Sequence, residues 1–347
     1  MLAFLLLFGA ACGGGDDGPS PEADPDPEAD PEAAATTDLS GTSLVIYSGR
    51  SEALVGPLVQ NFEKATGIKA SVKYAGSAEL AATLLEEGSR SPADVFWSQD
   101  PGPLGAVSSL LAKLPESLLS KVDARFRAED GKWVGTSGRA RVVVYNTDNV
   151  RESDLPTSIL DFTYPKWKGR IGWAPTNSSL QAMVTTIRLL KGDAAAQAWL
   201  EGIKANGAKV YANNTAVVEA VGKGEVDVGF VNHYYLHAVR KSNPNIKAAN
   251  FHLKNGDPGA VILASGAGVL ASSKKQAQAL RFIEYLLSAE AQKYFADQTF
   301  EYPLTGNVPI DADLEALAEI QSPRIDLSDL HDVQGTLTLM RRAGVIE

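Results

Sequence analysis

The chain has 347 residues, of which 44% are apolar, and 42 acidic against 32 basic side chains give it a formal net charge of −10. This length and apolar content suffice for two globular domains with a sizeable core, which excludes a wholly disordered chain. Residues 13–43 hold nine acidic residues and no basic one, so the rest of the chain is nearly neutral. A neutral body lacks the basic footprint of nucleic-acid-binding proteins, and we expect no nucleic-acid partner.

Residues 2–11 form an unbroken run of apolar and small side chains. A membrane-spanning helix needs about 20 such residues, so the run predicts the apolar region of a signal peptide within 1–12. Cys12, the single cysteine, follows small residues at the cleavage position. This arrangement resembles the lipobox of bacterial lipoproteins, which implies that Cys12 carries a lipid anchor. The remaining body then has no disulfide, thiolate metal site or cysteine nucleophile.

Residues 13–43 are rich in Pro, Asp, Glu and Ala and hold no large apolar side chain before Leu39. Such a segment cannot bury enough surface to offset the entropy of ordering, and its prolines and like charges keep it extended. We predict that 13–43 is a disordered tether that holds a folded domain away from a membrane.

From residue 44 onward, strand and helix patterns alternate. The first section predicts strand, helix, strand, helix and strand, which is typical of a parallel sheet with helices on both faces; these elements are 44–47, 52–66, 68–74, 77–87 and 93–97. The second section predicts strands at 141–145, 170–173, 209–211, 226–231, 260–263 and 267–270, and helices at 179–191, 194–206, 215–223, 234–241 and 274–295. We therefore predict an α/β fold with two lobes and a ligand crevice at the carboxyl ends of strands.

Several short strings, in order along 44–347, carry a family resemblance; they are 46–50, 66–68, 91–96, 137–146, 165–172, 224–227 with 232–235, 257–260 and 301–304. Through them the chain resembles the substrate-binding proteins of bacterial ABC importers, and more narrowly the ferric-ion-binding proteins. The resemblance implies a two-lobed type II periplasmic-binding-protein fold, each lobe a mixed sheet flanked by helices, with crossover hinge strands. The expected N-lobe is 44–140 with 266–316, and the expected C-lobe is 141–265 with 317–347.

Ferric iron is a small, hard cation that prefers anionic oxygen donors, and it can deprotonate a tyrosine on binding. Tyr234 and Tyr235 are the donors that we predict for Fe(III). Neighbouring side chains of a strand point to opposite faces, so both can reach one ion only where a strand gives way to a helix, as expected after 226–231. The alternative interpretation is a pair of ordinary half-buried aromatic residues.

The first-lobe donors depart from the family pattern. The best-matched branch has His where this chain has Ser51, and Glu where it has Gln99. We expect either that Gln99, Asp100, Ser51 or Glu52 completes the coordination shell with water and an anion, or that the ligand is not bare iron.

An anion site is predicted where Asn177, Ser178 and Ser179 precede a helix, because hydroxyl groups and free backbone N–H groups there favour negative charge. A plain helix cap is the alternative. The resemblance adds further donors, namely Asn214, Asn232, Arg50, Arg139 and Arg141. It implies carbonate or phosphate as a synergistic anion, although Arg141 could equally have a structural role.

His233 and His237 have the spacing of half a zinc site, but no further His or acidic cluster nearby completes one. The glycine-containing stretch 265–268 indicates tight strand packing rather than a phosphate loop. An extracytoplasmic hydrolase or transferase would need a nucleophile with a base, and no Ser-His-Asp arrangement is legible among four histidines. We expect a binding protein and not an enzyme.

The function predicted from these features is a monomeric lipoprotein of the cell envelope, held at the outer face of the cytoplasmic membrane or in the periplasm. It would capture ferric iron and deliver it to an ABC permease with its ATPase subunit. The alternative is a binding protein for an oxyanion or small organic anion without metal, in which the two tyrosines serve as stacking walls.

Overall fold

Strands and helices alternate along most of this computed structural model, which describes residues 38–347. The predicted signal peptide, the Cys12 anchor and the tether up to residue 37 lie outside the described residues. Leu39–Glu347 forms one compact unit. Among the described residues, no helix has both the length and the apolar character needed to cross a membrane.

The strands in the described part of the chain are β1 (Ser43–Ser48), β2 (Lys69–Tyr74), β3 (Val95–Ser98), β4 (Val134–Asn146), β5 (Ile171–Trp173), β6 (Lys209–Val210), β7 (Val228–Asn232), β8 (Ala248–Phe251) and β9 (Ile262–Val269). The α-helices there are α1 (Glu52–Thr66), α2 (Ser77–Glu87), α3 (Pro101–Ala106), α4 (Glu116–Leu119), α5 (Ser178–Lys191), α6 (Asp193–Ala205), α7 (Asn214–Gly222), α8 (Tyr234–Ser242), α9 (Gln276–Leu286), α10 (Ala289–Tyr294) and α11 (Val333–Arg342).

The strands pair in the order β2-β1-β3-β9-β4-β7-β5-β6, and β8 pairs with β4. β1 is parallel to β2 and β3, whereas β9 is antiparallel to β3 and β4. The long strand β4 changes partner along its length, because Ala140 pairs with β9 and Arg141 pairs with β7. The mixed sheet therefore has two parts, β2-β1-β3-β9 and β7-β5-β6 with β8, and β4 belongs to both.

Aromatic side chains form a buried cluster beside each part of the sheet. In the first, Phe62 packs edge-on against Phe282 with ring centroids 5.0 Å apart. In the second, Phe162 packs edge-on against Phe230 at 5.2 Å. Such pairs add to the stabilisation from apolar burial, so each part of the sheet is supported by its own packed side chains.

Several features of the elements differ from the sequence prediction. The strands predicted at 260–263 and 267–270 are one strand, β9, because Gly266 and Gly268 leave room for neighbours: a Cβ at Gly266 would lie 2.8 Å from Leu104 Cδ1. The helix predicted at 274–295 is two helices, since the Ser288 side chain caps α10 and starts it afresh. Strand β8 was not predicted, and β4 begins seven residues before the predicted 141.

The C-terminal segment contacts elements beside both parts of the sheet. A short 3₁₀ helix, Leu327–His331, packs against α3, and the backbone there comes so close that a Cβ at Gly102 would lie 2.4 Å from the Leu330 carbonyl oxygen. Further on, α11 packs against α5 and α6. The segment thus runs from α3, next to the first part of the sheet, to helices of the second.

Candidate metal and anion site

Tyr234 and Tyr235 lie at the start of α8, just beyond the end of β7 at Asn232. Successive residues of a helix are about 100° apart around its axis rather than on opposite faces, so the two side chains can share one side. Their rings are stacked, with centroids 4.3 Å apart and planes inclined by 29°. This places two phenol groups side by side, although their role as iron donors stays a prediction.

The environment of Tyr234 opposes loss of its proton. Burial holds the pKa of Tyr234 well above the usual value of 10.0, Tyr235 raises it further, and the Arg139 guanidinium acts in the opposite direction. The phenol is therefore neutral at physiological pH unless a strong positive charge arrives. A bound metal ion is the kind of charge that lowers the pKa of a coordinating group enough to ionise it.

Arg141 lies in β4 next to the tyrosines and is fully buried. Its Nη1 donates to Asn232 Oδ1 at 3.0 Å and to Ser179 Oγ at 3.3 Å. Its Nε and Nη2 have no hydrogen-bond partner among the described residues. Burial lowers the pKa of Arg141 to about 10, which still leaves it charged at neutral pH. A buried cation with two nitrogen atoms whose N–H groups are unsatisfied is a ready partner for an anion.

The start of α5 adds polar groups to the same region. Asn177 caps this helix, because its Oδ1 accepts a hydrogen bond from the Ser179 N–H at 3.1 Å. The same oxygen accepts from Asn214 Nδ2 at 3.3 Å, where α7 begins. The predicted alternatives are therefore not exclusive: 177–179 cap a helix and also bring two helix N-termini, which favour anions, close to Arg141.

Asp100 is the first-lobe candidate that the structure brings to this region. Its Oδ1 accepts a hydrogen bond from Arg139 Nη2 at 2.8 Å, and its Oδ2 accepts one from Ser178 Oγ at 2.9 Å. Arg139 Nη2 also donates to the Gln99 carbonyl oxygen. In contrast, Ser51 and Glu52 are exposed at the start of α1. Of the weaker predicted donors, Asp100 is thus the buried one, and both its oxygens are already engaged.

Glu301 is a site residue that the sequence prediction missed. It is buried, and its Oε2 accepts hydrogen bonds from Arg50 Nη2 at 2.8 Å, Ser137 Oγ at 3.0 Å and Thr299 Oγ1 at 3.2 Å. Its Oε1 lies 3.8 Å from Arg139 Nε. The one feature of the sequence that could have indicated Glu301 is its position in 301–304, one of the short strings that carry the family resemblance. Arg50, which the sequence analysis predicted to bind an anion, is an ion-pair partner of Glu301, and its role toward an anion stays a prediction.

The buried charges around the tyrosines do not balance. Three guanidinium groups, Arg50, Arg139 and Arg141, face two carboxylates, Asp100 and Glu301. Buried charges are stable when paired, and the member of this set without a carboxylate partner is Arg141. An excess of one positive charge favours an anionic ligand at Arg141.

His233 has a structural role at the point where β4 changes partner. Its Nδ1 accepts a hydrogen bond from the Ala140 N–H at 3.1 Å, and its Nε2 lies 2.8 Å from the Phe300 carbonyl oxygen. Burial lowers the pKa of His233 to about 3, so the ring is neutral, and it stacks on Tyr302 at 4.5 Å. Both ring nitrogens are occupied, which leaves none for zinc. No group of three His, Cys, Asp or Glu residues within 38–347 is placed to hold a metal.

A mixed α/β sheet in two parts, with buried charged side chains and paired tyrosines at a strand-to-helix junction, is the architecture expected of a solute-binding protein. The chain belongs to the bacterial extracellular solute-binding protein family, which matches residues 57–322. Within this class it is similar to the major ferric iron-binding protein of Neisseria meningitidis, with 38% identity over 87% of this chain and 93% of that protein. It is also similar to the Fe(3+)-binding periplasmic protein of Serratia marcescens, with 36% identity over 87% and 90%.

The chain is also similar to solved structures of iron-binding proteins. Iron-bound HitA from Pseudomonas aeruginosa has a TM-score of 0.81 and 36% identity, covering 87% of this chain and 99% of that one. The Trichodesmium protein IdiA (FutA), in complex with iron and citrate, has a TM-score of 0.77 and 31% identity over 87% and 99%. The predicted resemblance to ferric-ion-binding proteins and the predicted two-lobed fold are both confirmed.

Proposed function

We propose that this protein is the extracytoplasmic solute-binding component of an ABC importer and that its cargo is ferric iron held with an anion. The observation that carries the proposal is the stacked pair Tyr234 and Tyr235 beside the buried, partly unsatisfied guanidinium of Arg141. Two phenolates supply hard anionic donors, and the anion neutralises Arg141 and fills further positions on the metal. The relatives, which are named as iron-binding proteins, support this assignment.

The chemistry follows from the charges. On binding, the two phenol protons leave to solvent and the phenolate oxygens bind the ion, while carbonate or phosphate accepts hydrogen bonds from Arg141 and the N-terminus of α5. We assign 44–140 with 266–316 to one lobe and 141–265 with 317–347 to the other, with the cargo between them. The change of partner along β4 at residues 140 and 141 supports this division.

The remaining parts of the proposal concern location and partners. We place the protein in the cell envelope, anchored through Cys12 or free in the periplasm, as a monomeric binding protein without catalytic activity that delivers iron to a permease and its ATPase subunit. Mass spectrometry of protein extracted from membranes tests the anchor: a diacylglyceryl group on Cys12 is expected, and an unmodified residue would rule it out.

The test of iron capture is a spectroscopic titration of chelator-treated protein with ferric iron in bicarbonate. We expect a visible phenolate-to-iron charge-transfer band that is lost in Tyr234→Phe and in Tyr235→Phe. Tyr164→Phe is the matched control, because Tyr164 is 56% exposed and lies outside the site. A colourless wild-type protein would overturn the proposal.

The unsatisfied N–H groups of Arg141 also favour a second candidate, an oxyanion-binding protein without metal. In that case phosphate alone should raise the melting temperature of the metal-free protein as much as phosphate with iron does. A shift that requires iron would exclude this candidate.

A further inference from the structure

A cavity of about 360 Å³ lies between α8, β8 and the segment 313–315. Its volume falls in the lower part of the range of small-molecule pockets. The side chains that line it include Leu236, Arg240, Asn250, His252, Leu314 and Glu315. None of these residues belongs to the proposed iron and anion site, so the cavity needs an explanation of its own.

Polar groups in the wall of this cavity lack hydrogen-bond partners. His252 is 9% exposed, and its Nδ1 has no partner among residues 38–347. Its Nε2 lies 4.0 Å from Glu315 Oε2, which is too far for a hydrogen bond. Asn250 Nδ2 donates to the His233 carbonyl oxygen at 2.9 Å, but Asn250 Oδ1 is buried and unpaired within the described chain. Unpaired buried polar groups cost free energy, which a ligand with hydrogen-bond donors would recover.

The charges around the cavity leave one carboxylate without a close basic partner. Arg240 Nη1 donates to Asp313 Oδ2 at 3.2 Å, so these two charges balance. Within residues 38–347, the one basic side-chain nitrogen that comes within 4.0 Å of the Glu315 carboxylate is that of His252. Burial lowers the pKa of His252 to about 4, which leaves the ring neutral at pH 7. A neutral imidazole has one acceptor nitrogen, and together with Glu315 it favours a cationic donor.

The distance between His252 Nε2 and Glu315 Oε2 distinguishes two kinds of cation. A metal ion about 2.1 Å from both atoms would subtend an angle of about 145° across their 4.0 Å separation, which fits neither tetrahedral nor octahedral coordination. An ammonium nitrogen about 2.9 Å from both atoms would subtend about 90°, which two N–H bonds of one group can serve. An ammonium group can therefore bridge the imidazole and the carboxylate as they stand.

We propose that this cavity binds a small organic ammonium ion with a short hydrocarbon chain. The ammonium group donates to His252 and Glu315, and its third N–H bond is left for Asn250 Oδ1 or water. The chain contacts Leu236 and Leu314, which supply apolar surface in the same wall. The site goes beyond the proposed function and does not depend on iron, since none of these residues is a predicted donor to iron or to its anion.

The test titrates the metal-free full chain with butylammonium at neutral pH in a calorimeter. Tetramethylammonium, which has the charge but no N–H donor, and butanol, which has the chain but no charge, are the comparison compounds. We expect one butylammonium ion per protein, and binding of the other two compounds that is at least roughly tenfold weaker, because a charge-assisted hydrogen bond is lost. Absence of butylammonium binding, or equal binding of tetramethylammonium, would overturn the inference.

Glu315→Gln keeps the size of the side chain and removes its charge, so it should weaken butylammonium binding by roughly tenfold or more. Glu319→Gln is the matched control, because Glu319 is exposed on the same segment and is not part of the cavity wall; it should leave the affinity unchanged. His252→Phe keeps a ring but removes the acceptor nitrogen, and it should also weaken binding.

Unchanged affinity in Glu315→Gln would contradict the inference. Zinc that binds more tightly than butylammonium, and is lost in Glu315→Gln, would make the cavity a metal site and would overturn it as well. These titrations contain no iron, so their outcome is separate from that of the charge-transfer experiment on Tyr234 and Tyr235.

Discussion

Asp100 and Ser178 are joined by a hydrogen bond of 2.9 Å between the Ser178 hydroxyl group and Asp100 Oδ2. Asp100 precedes α3, beside the first part of the sheet, and Ser178 begins α5, beside the second. Because the other carboxylate oxygen is bound to Arg139 in β4, one side chain links the start of α3 to both α5 and β4. The contact therefore links elements of the structure, and it also leaves neither oxygen of Asp100 free of a hydrogen bond for binding a metal ion.

Asp100→Ala should be strongly destabilising, whereas Ser178→Ala should not. The first change leaves the buried Arg139 with Glu301, 3.8 Å away, as its one charged partner, and breaking one side of a buried ion pair costs about 3–5 kcal/mol. The second removes a single hydrogen bond to a charged group at a solvent-exposed serine, which is worth about 1.5 kcal/mol. Urea denaturation measures both; equal losses would show that the Arg139 pairing is not the source of stability.

The sequence could predict the elements around the site better than the partners within it. Tyr234 and Tyr235 were placed at a strand-to-helix junction because periodicity is a local property, and β7 and α8 meet there. Arg50, Arg139 and Arg141 looked alike in sequence, yet their roles differ. The partner of Arg50 is Glu301, 251 positions away, and a pairing across that distance depends on the tertiary fold.

The elements that were predicted wrongly also depended on contacts rather than pattern. No strand was predicted over residues 134–140, but in β4 they are buried throughout, since Ser137 and Arg139 pair with Glu301 and Asp100 inside the protein. Likewise two strands were predicted at 260–263 and 267–270, whereas they form the single strand β9, in which Leu104 and Leu111 pack closely against Gly266 and Gly268. Burial of a polar strand becomes visible only when its partners are in place.

Arg141→Gln should weaken anion-dependent iron binding with little loss of stability in the metal-free protein. The change removes a charged donor whose free N–H groups would meet the anion, and a hydrogen bond to a charged group is worth about 1.5–3 kcal/mol, or roughly 10- to 100-fold in affinity. Metal-free stability should fall little, because the loss of the two Nη1 hydrogen bonds is offset by removal of a buried charge that has no carboxylate partner in this cluster. Competition titration with bicarbonate at fixed iron measures the affinity.

The conservative variant Arg141→Lys separates charge from geometry. A lysine keeps the positive charge but not the planar fork of donors, so we expect an affinity between those of the wild type and Arg141→Gln. Unchanged iron affinity in Arg141→Gln would place the anion elsewhere.

Lowering the pH should destabilise the metal-free protein, and the pKa of His252 helps to set the pH range in which stability is lost. Burial lowers the pKa of His252 from 6.5 to about 4 in the folded protein, and His237 adds to the shift. The unfolded chain therefore takes up a proton near pH 6.5 that the folded protein resists until about pH 4. This contribution to stability is complete above pH 6.5 and falls between pH 6.5 and 4 by up to about 1.4 kcal/mol per pH unit.

His252→Asn should reduce the slope of the unfolding free energy against pH by the amount that one proton contributes. The comparison is a series of thermal unfolding curves between pH 7 and pH 4, with the folding free energy evaluated at one temperature. Glu315, whose Oε2 lies 4.0 Å from His252 Nε2, is the acidic group facing it. His331→Asn, at an exposed position, is the control and should leave the slope unchanged. An identical slope in His252→Asn and wild type would contradict the assignment.

Gly102→Ala should destabilise the protein although alanine suits a helix better than glycine. A Cβ at Gly102 would lie 2.4 Å from the Leu330 carbonyl oxygen and 3.1 Å from its carbon, so the 3₁₀ helix Leu327–His331 must move away from α3. Overpacking of this kind typically costs about 1–3 kcal/mol. Gly76→Ala is the matched control, because its φ of −63° suits any residue and its Cβ would be 4.0 Å from the nearest atom, in Glu79; it should be neutral or stabilising by up to about 1 kcal/mol. Urea midpoints that shift in opposite directions would support the close contact, and a neutral Gly102→Ala would show that the C-terminal segment is not held against α3.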